Sequence, residues 1–213
     1  MKKTKEERKQ MSEKKKLRRI TFFTSIITLI SFLYKAGLGL LTRSLVLIIA
    51  SISTLMVFIC KITFIKNVLA TREKKKKAYL MMAIAILVYA LIFIAFVVLK
   101  VNGIDISNDK TYKGLLGSLL ILFMLIMFIL SCKKLRGALE KNDLMVIGLK
   151  EMTFVSALAD LVIIEEFVSR IILEYKQIEM LVFINSYFSL AIGILMVIVG
   201  IIMIIRFSKY EVS

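Results

Sequence analysis

Six apolar runs fill most of this chain, at roughly residues 20–41, 44–65, 78–100, 114–132, 152–174 and 181–205. Nothing else in the sequence constrains the fold as much. A helix crosses a bilayer with about 20 residues, and each run is about that long. Backbone groups in lipid must satisfy one another, so runs of this kind fold as helices or as a closed barrel. Continuous apolarity without strict alternation selects helices. The expected fold class is an all-α membrane protein, a six-helix transmembrane bundle. Residues 1–19 read as a basic cytoplasmic arm, 20–207 as the transmembrane domain and 208–213 as a short cytoplasmic tail. The connections are short, which predicts that successive helices are antiparallel neighbours.

The chain is 59% hydrophobic with a mean hydropathy of +0.86, against about 45–50% apolar residues in a soluble domain. Its net charge is +16. In a soluble protein that excess would suggest nucleic acid. Here the basic residues gather between apolar runs, where they set orientation in a membrane. With the N-terminus inside, the inner segments hold 23 Lys and Arg and the outer ones five: Arg43, Lys100, Lys110, Lys113 and Lys176. That asymmetry predicts a multi-pass protein of the cell membrane with both termini cytoplasmic and no nucleic-acid partner. The first run is too long for a signal-peptide core and has no small-residue cleavage site, so it is expected to remain as a helix.

Lys14, Lys15, Lys16, Arg18 and Arg19 end the arm, beside the first span. They are the expected contacts to anionic lipid headgroups, at about 1 kcal/mol for each cation. The arm itself is expected to be poorly ordered or a surface helix. The bilayer is the expected partner, and a homodimer is open to such a bundle. There is no histidine, so no Ser–His pair and no H-E-x-x-H. No Gly-rich phosphate loop is present either, so neither an enzyme nor a cofactor is expected. Cys60 and Cys132 read as small hydrophobes, not a disulfide or a metal pair.

The fifth run, MTFVSALADLVIIEEFVSRIILE, carries Asp160, Glu165, Glu166 and Arg170. A charged group inside a membrane helix costs roughly 2.5–3.5 kcal/mol on insertion and marks a candidate site. Thr153, Ser156 and Asp160 stand at i, i+3 and i+7 and share one helical stripe. They are candidates for holding an ion or a proton. The alternative is a carboxylate that serves helix packing, paired with a hydroxyl or a lysine. Lys35 is the lysine such pairing would use, but its place near the end of the first run predicts snorkelling to the interface. Glu166 and Arg170, four apart, are expected to form a structural ion pair. Glu165 has no evident partner. Ser51, Ser53 and Thr54 are expected to bond their own backbone or a neighbour in preference to lining a path. Gly193 and Gly200 share a face, as do Gly114 and Gly117, and each pair is expected to admit a neighbouring helix.

The stretch KAGLGLLTRSLVLIIASISTLMV, residues 35–57, resembles the first two helices of the cation diffusion facilitator family. Lys35, Gly39, Leu40, Leu41, Thr42, Ser44 and Leu45 carry the likeness. Ser156-Ala-Leu-Ala-Asp160 falls where that family repeats an H-x-x-x-D motif. Asn185 through Gly193 resembles the start of its sixth helix, where an aspartate is usual in place of Asn185. The likeness covers about residues 20–207. It implies a cation-efflux-transporter-like bundle with a divalent-ion site between helices 2 and 5, two ligands from each.

The departures are specific. The ligand positions fall on Ser53 and Val57 in helix 2, and on Ser156 and Asp160 in helix 5. Only Asp160 is a ligand of the expected kind, and zinc asks for about four donors. The family's cytoplasmic C-terminal domain is also expected to be lacking. Two readings follow from the resemblance. One is a transporter with a reduced site for a cation or proton, drawing on Asp160, Ser156, Thr153, Ser53 and Asn185. The other is a non-transporting membrane subunit or scaffold that kept the fold and lost the metal ligands.

Overall fold

The computed structural model describes residues 5–102, 115–140, 143–176 and 180–212 of the chain. They form six helices and, among the described residues, no strand: α1 (Lys5–Thr42), α2 (Leu45–Asn67), α3 (Arg72–Val101), α4 (Leu115–Leu139), α5 (Leu144–Lys176) and α6 (Met180–Val212). Among the described residues four segments are long and apolar enough to cross a membrane: Met11–Leu41, Leu45–Asn67, Arg72–Val101 and Asn185–Lys209. In α5 the density of charge sets it apart from these. The loop residues 103–113 and Gly114 lie outside the described residues, as does the side chain of Gly117.

Residues 5–19 of the basic arm continue into the first apolar run as one helix. No glycine or proline interrupts the chain before Gly37, so nothing stops the helix at residue 19. It ends in a Schellman motif. Ser44 N–H donates to the Gly39 carbonyl at 2.9 Å and Arg43 N–H to the Leu40 carbonyl at 3.3 Å. Arg43 takes the left-handed conformation, φ 54°, that such a turn requires. Glycine usually sits there, and a side chain in that region carries some strain. The Ser44 hydroxyl then caps α2 by accepting from Leu47 N–H. At the start of α5, Asp143 Oδ1 accepts from Met145 N–H at 3.1 Å and fills the same role.

The fully buried side chains include Phe64, Tyr79, Met82, Ile86, Tyr89, Met145, Met152, Val155, Met196 and Met203. The main core therefore lies between α2, α3, α5 and α6. α5 is the central element, in contact with α2, α3, α4 and α6. Along its described length only Val168 is an exposed large hydrophobic residue. The other helices present many, among them Phe23, Leu41, Met81, Ile129 and Ile201. An outward-facing apolar surface on that scale suits lipid, not water.

Chain neighbours are not always spatial neighbours. α1 packs on α2, and α4 on α5, but α3 and α4 make no contact among the described residues. α3 pairs with α6 instead. The glycines of α6 explain the choice. A Cβ on Gly193 would stand 2.6 Å from Ile94 Cγ1, and one on Gly200 would stand 2.5 Å from Leu87 Cδ2. Their absence lets α3 lie close against α6. Both cysteines are free, Cys60 buried and Cys132 half-buried.

Candidate functional site

Asp160 is buried in the bundle, and so are Ser53, Thr54 and Ser156. The two serines meet between α2 and α5, Oγ to Oγ at 3.1 Å. Ser53 Oγ already donates to the Ala50 carbonyl at 2.7 Å, so Ser156 is the donor to Ser53. The Thr54 hydroxyl likewise donates to the Ala50 carbonyl, at 3.1 Å. Ser51 donates to the Ile48 carbonyl. The hydroxyls of α2 thus satisfy their own helix first, as residues of this type do in membrane helices. The Thr153 hydroxyl turns to the Leu149 carbonyl at 2.7 Å, away from any shared site with Asp160.

Lys35 overturns the snorkelling expectation. It is only 4% exposed. Its Nζ lies 2.5 Å from Asp160 Oδ1 and donates to Thr54 Oγ1 at 3.2 Å. The physical reason is mutual: a lone buried ammonium and a lone buried carboxylate are each costly, and pairing relieves both. Lys35, Thr54 and Asp160 therefore form one closed unit across α1, α2 and α5.

This arrangement does not fit a divalent cation. Val57, at one ligand position, is apolar and part of the core. Ser53 and Ser156 offer neutral hydroxyls bonded to each other. Asp160 already faces a positive charge. Among the described residues no group of three or more His, Cys, Asp or Glu could hold a metal ion. Asn185 stands apart. The α3–α6 packing at Gly193 places it level with the last turn of α3. It is buried, and among the described residues its Oδ1 has no hydrogen-bond partner.

Two further acids of α5, Glu166 and Glu151, repeat the pattern with cations on different helices. Glu166 Oε1 pairs with Lys100 of α3 at 2.8 Å. The side chain of its expected partner, Arg170, lies outside the described residues. Glu165 accepts from Ser169 at 2.9 Å. Near the opposite end, Glu151 pairs with Arg206 of α6. Tyr79 of α3 donates to Glu151 Oε2 at 3.2 Å and accepts from Arg206 at 3.3 Å. Lys61 of α2 ties α1, donating to Thr28 Oγ1 at 2.5 Å and to the Thr24 carbonyl at 3.0 Å. Sequence reasoning missed the Glu151 and Lys61 contacts. The only available signal was that both lie at the margins of apolar runs.

Of the residues expected at lipid headgroups, Lys15, Lys16, Arg18 and Arg19 are exposed. Lys14 approaches Asp143 at 4.0 Å. No family model matches this chain, and no curated protein or solved structure matches it significantly.

Proposed function

We propose that this chain is an integral membrane scaffold or subunit whose helices are arranged like those of the cation diffusion facilitators. In this reading the place of the transported cation is filled by the protein's own Lys35. One observation carries it: the Lys35 ammonium sits between Thr54 of α2 and Asp160 of α5. A mobile cation there would have to displace a tethered one. Divalent ions would also find too few donors to replace their hydration. The chain then acts through its surfaces and not by moving a solute.

Flux measurement is the direct test. Purified protein reconstituted into liposomes is expected to give no zinc, manganese or proton flux above protein-free vesicles. Asp160→Asn is expected to leave that baseline unchanged. Flux in the unsubstituted protein that Asp160→Asn abolishes would restore the transporter reading.

The proposed orientation has both termini cytoplasmic, resting on the asymmetry of positive charge. A cysteine at position 108, in a background with Cys60 and Cys132 replaced by alanine, is expected to react with an impermeant maleimide added to intact cells. Labelling only after the cells are opened reverses the orientation.

A further inference from the structure

Among the described residues the backbone of α1 comes close to that of α2 alone, and α1 reaches α5 through side chains such as Lys35. Between α1, α3, α4 and α5 lies a cleft of about 1000 Å³. Six cations line it, from four helices or their margins: Lys14 and Lys16, Arg72 and Lys75, Lys134, and Lys150. Glu13 and Asp143 are its two acids. Asp143 is already committed, one oxygen to the cap of α5 and the other toward Lys14. Lys134 and Lys150 lie close enough to repel each other. Even with Glu13 and Asp143 counted, the lining keeps an excess of positive charge, which favours an anion in the cleft. The remaining wall is apolar, with Leu17 and Ile20 on α1 and Val146 on α5. Phe23, one turn beyond Ile20 on the same side of α1, extends that apolar surface and is exposed.

We propose that this cleft binds the phosphate of an anionic lipid headgroup, with the first part of an acyl chain against α1. A free phosphate would use the cations but not the apolar wall, which is why the lipid is favoured. The cleft differs from the exposed Lys15 and Arg18 on the same helix, which do not line it. This assignment rests on the membrane placement above and not on the state of Asp160. The maleimide experiment reads the placement independently.

The test uses the full chain in phosphatidylcholine nanodiscs with a minor fraction of phosphatidylglycerol, and counts retained lipids by native mass spectrometry. Retention of phosphatidylglycerol over phosphatidylcholine is expected. Removing two cleft charges with Lys134→Gln/Lys150→Gln is expected to weaken it on the order of thirtyfold. Lys15→Gln/Arg18→Gln is expected to weaken it far less. Gly137→Leu provides a probe that leaves every charge in place. A Cβ at Gly137 meets nothing within 4 Å, and leucine favours helix over glycine, so this variant fills the cleft without threatening the fold. It too is expected to lose the retained lipid. Equal losses from the two charge pairs, or undiminished retention in Gly137→Leu, overturn the cleft assignment. Pyrophosphate binding in pure phosphatidylcholine nanodiscs at least as tight as phosphatidylglycerol overturns the lipid as its occupant.

Discussion

Replacing Lys35 by alanine is expected to lower stability by about 3–5 kcal/mol, the usual cost of stranding one member of a buried ion pair. The reason is the surroundings of Asp160, which is buried and whose Oδ1 takes the lysine as its ionic partner. Thr54 does not substitute for the cation, because its proton is spent on the Ala50 carbonyl. Thermal unfolding in detergent micelles, followed by far-ultraviolet circular dichroism, measures the loss. The double variant Lys35→Met/Asp160→Leu should recover most of it, since apolar residues of similar volume often match or exceed a buried pair. If Lys35→Ala melts with the unsubstituted protein, the lysine does not hold Asp160 and the snorkelling conformation is the populated one.

The second large effect is expected at the α3–α6 contact. Gly193→Ala and Gly200→Ala each push a methyl group into a side chain that is already in place. Overpacking costs about 1–3 kcal/mol at each site. The sites are seven residues apart on α6 and meet different side chains, so the double variant should lose about 2–6 kcal/mol. Alanine also favours helix by about 1 kcal/mol over glycine at each site, which brings the net loss to about 0–4 kcal/mol. A double variant that melts at or above the parent temperature would show that propensity dominates and that α3 and α6 are not held this closely.

The helices were legible because span length and apolarity are local properties. All six were expected, and their approximate positions follow the apolar runs. Their ends were less legible, because polar flanks such as residues 5–19 and 206–212 continue a helix when no breaker stops them. Gly193 and Gly200 were legible as a packing face, though not which helix would fill it. The pairings of charge were not legible. Lys35 and Asp160 are 125 residues apart, and Lys100 and Glu166 are 66 apart. A single sequence states the cost of each charge but not which partner relieves it. Arg206 illustrates the error: counted as a topological charge beyond the last span, it is also the partner of Glu151. Ser53 and Ser156 meet across α2 and α5, positions that only the resemblance sets opposite each other.

Three acids of α5, Glu151, Asp160 and Glu166, are answered by cations on α6, α1 and α3. This division bears on how the protein is made. In a bilayer, α5 leaving the ribosome alone would carry all three carboxylates into lipid unneutralised. Lys35 and Lys100 are synthesised earlier, on helices already emerged, and Arg206 comes after. α5 is therefore a conditional segment: its insertion draws on helices that precede it and is completed by the one that follows. These pairings predict cooperative insertion in the order of the chain, with Arg206 of α6 supplying the last cation.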